Sequence, residues 1–273
     1  MKRVLFGRHI ASAVLFAATL SAADAADMPM KSSPPPMPEC AWCGGYIGFN
    51  AGFFGPSGTD INSTGTDTGA SGLGSMVAAG AIATTFGDNY PGFVGGGQIG
   101  YNWQFFRDYI FGLEADFDAI GAGRSVSSAP NTVAPFPAVS NKFEHDADWI
   151  STYRARLGAS VIYNKALVYT TFGLAVAKVG LSDQFICPAC TPPSSSEPGT
   201  SASSSFTRLG GTAGFGVEWL LGQHVSMRAE YLLADFSSSS TTINYNYPGG
   251  TSSLTSISRN TFSIVRLGLN WLF

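Results

Sequence analysis

Charge is scarce in this chain: Lys, Arg, Asp and Glu together make up only 12% of it, and the net charge is −3. That shortage excludes two classes at once. A solvated disordered polymer needs high charge and little apolar content, whereas 45% of this chain is hydrophobic. A nucleic-acid-binding surface needs a basic patch, and none is present. Long apolar runs are missing too: past the first 25 residues none reaches the roughly 18 that a membrane-spanning helix requires. Only four cysteines and three histidines occur, and no His stands at zinc spacing from either cysteine pair, so metal ligation is not expected. Glycine (33) and phenylalanine (20) are plentiful instead, an odd pairing for a water-facing surface.

The N-terminus has the three parts of a secretory signal. Lys2, Arg3 and Arg8 flank the start of an apolar run from Ile10 to Leu20, which leads to Ala23-Asp24-Ala25, with cleavage expected after Ala25. No Cys sits at that point, which argues against a lipid anchor. Residues 26–43 are expected to form a Pro-rich periplasmic leader, extended and poorly ordered over 26–39, with residues 44–273 as the single remaining domain. An exported chain without a spanning helix enters a membrane only by strands.

Strands are what the rest of the sequence offers. Successive strand residues point to opposite faces. In the closing TFSIVRLGLNWLF, one face carries Val265, Leu267, Leu269, Trp271 and Phe273, and the other Ile264, Arg266, Gly268, Asn270 and Leu272. Eight such segments are expected, at 45–55, 92–106, 109–120, 148–161, 166–181, 206–221, 225–236 and 261–273. Each approximates the ~9 to 11 residues of a tilted membrane strand. Tight turns near 107–108, 163–165 and 222–224 alternate with long Gly/Ser/Thr-rich loops at 56–91, 121–147, 182–205 and 237–260. This alternation predicts an all-β fold: an eight-stranded antiparallel transmembrane up-and-down β-barrel, with short periplasmic turns and long extracellular loops. Trp103, Tyr109, Trp219 and Trp271 should gather at the periplasmic interface, and Phe93, Phe117 and Trp149 at the outer one.

Every mid-strand charge falls on the face opposite the aromatic one. Five acids (Glu114, Asp116, Asp118, Glu218, Glu230) accompany five arginines (Arg154, Arg156, Arg208, Arg228, Arg266). Such matching suits an enclosed interior, where an unpaired charge is costly and Arg meets carboxylate bidentately. Eight strands leave a lumen just wide enough for side chains to fill, so a plug is expected, with a narrow or gated conduit as the alternative.

At the level of motifs, the signal, the Pro-containing leader, GGYIGFNAG at 44–52, the RLG strands and the final VRLGLNWLF resemble the small outer-membrane immunogenic, or porin-family, proteins of alphaproteobacteria. Their barrel motifs are shared with the transmembrane domain of outer-membrane protein A. The resemblance implies an outer-membrane surface-antigen and envelope role among outer-membrane lipid and lipopolysaccharide. It also implies that Trp271 and the terminal Phe273 are similar to the signal read by the barrel-assembly machinery.

Other motifs receive bland readings. CAWC (Cys40, Cys43) and CPAC (Cys187, Cys190) fall at opposite ends of the barrel, separated by about 25 Å or more, so each is expected to close on itself as a local disulfide. Gly95-Gly96-Gly97 lacks the Lys-Ser/Thr of a phosphate loop. His145, in EHDAD, is expected to be a solvated rim residue; no catalytic constellation and no cofactor site is expected. The apolar stretch at 76–86 is expected to fold over the barrel mouth or contact a partner. TTINYNYPGGTSS at 241–253 should extend the last two strands as a hairpin, stiffened by Tyr245 and Tyr247. A surface ligand, if bound, would meet these outer loops.

Overall fold

The computed structural model describes residues 40–57, 60–69, 72–87, 91–106, 108–128, 131–189, 201–247 and 250–273. The expected signal and residues 26–39 of the leader lie outside them. The elements are β1 (Gly44–Pro56), β2 (Asp60–Gly69), α1 (Leu73–Ala78), β3 (Thr85–Gly87), β4 (Gly92–Phe105), β5 (Tyr109–Ser127), β6 (Ser140–Val161), β7 (Ala166–Ile186), β8 (Ser201–Leu220), β9 (Val225–Tyr247) and β10 (Gly250–Leu272).

Strands β1 and β4 to β10 are hydrogen-bonded in that order, each neighbour antiparallel. The sheet then returns on itself, because β1 pairs β10 from Tyr46 opposite Leu272 to Pro56 opposite Phe262. A ring of eight strands results, leaving no membrane-level edge whose backbone groups would meet hydrocarbon. All eight expected segments are present. Asn164 takes a positive φ (63°) in the turn between β6 and β7, a conformation that Asn tolerates.

The alternation read from the sequence sorts the side chains. Phe49, Leu113, Tyr153, Phe215, Leu267 and Trp271 stand exposed on the outside, while Glu114, Arg154, Glu218 and Arg266 on the same strands are buried. A surface this apolar is stable only against an apolar solvent. Aromatic pairs mark its two ends: Trp103 stacks on Phe111 at 5.8 Å and His224 on Trp271 at 6.0 Å near the short turns, and Phe117 stacks on Trp149 at 5.6 Å near the long connections.

The strands run much further than expected. Segments 121–127, 140–147, 182–186, 201–205, 237–247 and 250–260 were expected in loops, yet they continue β5 to β10. Their inward positions mix Phe143, Phe185, Ile243 and Leu254 with Ser239, Thr241, Ser252 and Ser256, each buried, and the alternation of buried and exposed residues holds a strand without a bilayer. The hairpin expected at 241–253 is there, β9 facing β10 from Gly250 opposite Tyr247. The first long connection also carries structure: β2 adds to the free edge of β10, β3 adds to β2, and α1 lies between them in sequence.

Three register irregularities, at 119/122, 147/149 and 258/260, coincide with the level where the wall divides. Pairing of β8 with β9 stops at Gly210 opposite Phe236, and pairing of β4 with β5 at Phe93 opposite Gly121. Beyond that level one sheet is built from β5 to β8 and another from β9, β10, β2 and β3. They face each other across an apolar cluster that includes Leu73, Phe185, Ile243, Tyr245 and Leu254, with Phe185 edge-on to Tyr245 at 6.4 Å.

Candidate functional site: the filled lumen

Inside the barrel the side chains form layers. Nearest the short turns, Trp42, Ile110, Leu167 and Tyr169 pack together. Above them lies the charged layer, then an apolar belt containing Phe54, Ile120, Ile150, Val179, Leu232, Phe236 and Phe262.

The charged layer is held by nine side chains on five strands. Arg266 of β10 reaches Asp118 (Nη1 to Oδ2, 2.7 Å), Asp116 (Nη2 to Oδ2, 2.8 Å) and Glu230 (Nη2 to Oε2, 2.7 Å). Arg154 of β6 donates to Asp116 at 2.7 Å and Glu230 at 2.9 Å, and also pairs with Glu114. Arg228 pairs with Glu114, and Arg156 with Glu218 at 2.6 Å. The charged ends of all nine are at most 2% exposed. At that burial each charge must be neutralised and hydrogen-bonded, because desolvation costs several kcal/mol per ion.

Neutral groups complete the coordination. Tyr46 OH donates to Glu114 at 2.5 Å and Tyr169 OH to Glu230 at 3.1 Å. Asn50 donates to Asp118 at 2.9 Å, Thr152 to Asp116 at 2.8 Å, and Ser226 and Asn270 to Glu218 at 2.5 and 2.7 Å. Gln98 donates to Asn270 at 2.5 Å. The guanidinium of Arg156 lies over the Tyr169 ring at 4.1 Å. Room for these rings comes from glycine: a Cβ at Gly100 would stand 2.3 Å from Tyr46, and one at Gly216 2.5 Å from Tyr169. Sequence reasoning missed these partners, although parity contained them: Asn270 shares its face with Arg266, and Ser226 with Arg228.

Arg208, expected in the same layer, stands elsewhere. It is opposite Ala177, level with the apolar belt, with its guanidinium 4.4 Å over Phe206, and it makes no ion pair among the described residues. Four arginines, not five, therefore face the five acids.

CAWC closes on itself as expected: Cys40 and Cys43 are disulfide-bonded, with Cα atoms 5.3 Å apart. What the sequence reading did not anticipate is Trp42, at the end of the leader, which is 1% exposed inside the barrel. Asn102 Nδ2 donates to the Trp42 carbonyl at 3.0 Å. The large apolar ring finds its burial in the lumen, beside Ile110, Leu167 and Tyr169.

Cys187 is also disulfide-bonded and fully buried in the outer apolar cluster; its expected partner Cys190 lies outside the described residues. The backbone of His145 stands opposite Arg124 and Leu181 within β6. Among the described residues no three His, Cys, Asp or Glu side chains gather as a metal site. Trp271 and Phe273 are exposed on the outer face, and Phe273 N donates to Gly45 O at 2.9 Å, binding the terminus to the first strand.

The chain is similar to several known proteins. The 31 kDa outer-membrane immunogenic protein of Brucella melitensis is 31% identical over 273 residues, covering 96% of each chain. The 22 kDa outer membrane protein of Rhizobium leguminosarum is 30% identical over 155 residues, covering 56% of this chain and 58% of its own. Among solved structures, the outer membrane protease OmpT of Escherichia coli matches at a TM-score of 0.41 and 8% identity, over 84% of this chain and 96% of that one. Residues 11–265 match the model of the outer membrane protein beta-barrel domain. With the ring of eight strands, its apolar outside and its charged inside in place, the chain belongs to that family, and it is an outer-membrane β-barrel protein.

Proposed function

We propose that this protein is a structural and surface-interaction component of the outer membrane, with a lumen plugged rather than conducting, and with no catalytic role. The observation that carries the plug is the set of bonds Arg266 makes to Asp116, Asp118 and Glu230 across the barrel, with the apolar belt on one side and the Trp42 layer on the other. Water and ions crossing such a lumen would have to break buried ion pairs and wet two apolar layers. The relatives' names, as immunogenic outer-membrane proteins, support a surface-antigen role. In this reading residues 1–25 are removed on export, outer-membrane phospholipid and lipopolysaccharide surround the apolar face, and Trp271 and Phe273 address the chain to the barrel-assembly machinery.

A second reading, a narrow cation-favouring conduit, draws on the charge count of the lumen, where five carboxylates face four arginines. Planar-bilayer recording on the folded full chain separates the two. The plug predicts no steady conductance in the unaltered protein. Stable, cation-selective steps that change with Arg154→Gln would favour the conduit.

A further inference from the structure

Beyond the apolar belt the interior turns polar again. Asn141 on β6, Asp183 on β7, Thr241 on β9 and Ser256 on β10 are all buried, none more than 4% exposed. Register gathers them. Asn141 stands opposite Phe185 and Phe143 opposite Asp183, so Asn141 and Asp183 are one diagonal step apart on the same face. Thr241 is directly opposite Ser256. The Ser256 hydroxyl donates to Asp183 Oδ2 at 2.7 Å, joining the two sheets, and Ser63 of β2 lies 2.9 Å from the same hydroxyl.

Several atoms of this layer have no partner. Asp183 Oδ1, Thr241 Oγ1 and both amide atoms of Asn141 are buried without a hydrogen bond among the described residues. Asp183 also makes no ion pair among the described residues, unlike the lumen acids below it. Burial pushes its carboxyl up to about 7 against the hydrogen bond from Ser256. Orphaned polar atoms and an unpaired buried carboxylate are each costly, and here they adjoin. A polar cleft of about 320 Å³ lies on the opposite, outward face of the same strands, lined by Lys142, Glu144, Ser182 and Gln184, and meets the layer only at Asp183. Lys142 on that outward face pairs with Glu144 at 2.6 Å.

The geometry points to a cation site in the extracellular half of the protein: a hard cation held by Asp183 Oδ1, Asn141 Oδ1 and Thr241 Oγ1, with water completing its shell. The donors are all oxygen, which excludes soft metals. Neutral oxygens and an irregular cage suit calcium or sodium, whereas magnesium demands near-ideal octahedral geometry. With a single carboxylate the affinity belongs at the weak, extracellular end, a dissociation constant of about 10⁻³ M. Its effect is mechanical, since an ion bridging β6, β7 and β9 clamps the two sheets that carry the surface hairpins. The proposal does not depend on whether the lumen conducts.

The test uses the folded full chain in detergent micelles at pH 8, with thermal unfolding followed while calcium, sodium, magnesium or choline chloride is added at constant ionic strength. The expected result is a saturable rise in midpoint with calcium or with sodium, the two arms naming the ion, and none with choline. Asp183→Asn and Thr241→Val should each weaken the response at least tenfold, while Glu144→Gln leaves it unchanged. If Asp183→Asn does not fold, Thr241→Val decides. An identical response in the variants and the unaltered protein, or no saturable response to any cation, overturns the proposal and leaves the layer to water.

Discussion

Arg266 Nε donates to Glu230 Oε2 at 2.8 Å, on residues directly opposite each other in β9 and β10, and Arg266 Nη2 stands 2.7 Å from the same oxygen as an ion-pair contact. A cross-strand register pair thus doubles as a buried ion pair inside the barrel, so strand pairing and lumen filling are set by the same two residues. Replacing one partner leaves a buried charge unanswered. Arg266→Met should destabilise the folded barrel by about 3–5 kcal/mol. The combined Arg266→Met, Glu230→Gln change should cost less than the sum of the single changes. Urea titration of the folded protein in lipid vesicles measures both.

Trp42 is the stopper at the periplasmic mouth. Trp42→Ala removes its contacts with Ile110, Leu167 and Tyr169 and should cost about 3–5 kcal/mol in the same titration. Cys40→Ser with Cys43→Ser should loosen the segment without removing the ring, and so cost less. A Trp42→Ala loss below about 1 kcal/mol would place the ring outside the barrel.

Asp67 ties the first long connection together. Its carboxylate accepts from Gly72 N at 2.9 Å, Gly74 N and Ser75 N at 2.8 Å, and the Ser252 hydroxyl at 2.6 Å. Partial burial opposes ionisation, but the hydrogen bonds from Ser252 and Ser75 prevail and hold the carboxyl well below its ordinary range. Asp67→Ala should release α1 from β2 and speed protease cleavage within residues 72–87 severalfold, with no change in the barrel's own unfolding.

Asp183 gives a pH dependence of opposite sense. Its carboxyl titrates at about 7 when folded, against 3.8 as an ordinary side chain. Between those values the unfolded chain has lost the proton that the folded one keeps, so unfolding releases a proton and stability falls as pH rises. Without added cation, stability should decline from about pH 4 to about pH 7 and then level. Asp183→Asn should remove that decline, as unfolding midpoints across pH would record.

Much of this fold could be read from period-two alternation alone. Glu114, Asp116 and Asp118 reveal their face because each is flanked by Leu113, Ala115 and Phe117, and a membrane strand tolerates no confusion of the two. Height along the barrel was less legible. Arg208 has the parity of Glu218, but only the register opposite Ala177 shows that it stands above the ion layer. The strand extensions were hidden because Ser and Thr suit loops and strands alike, and their inward apolar residues are spaced widely. Trp42 was hidden for another reason: a single buried ring carries no periodicity, and its Pro-rich neighbours pointed to solvent.

The five tryptophans offer the most direct test of which face meets which environment. Trp103, Trp149, Trp219 and Trp271 lie on the outer face and Trp42 inside. Single-tryptophan variants reconstituted into vesicles of brominated phospholipid report contact with acyl chains by quenching. Quenching of the four outer tryptophans with Trp42 left bright is the expected result; Trp42 quenched like the others, or Trp271 unquenched, would contradict the division of the barrel into a lipid face and a filled interior.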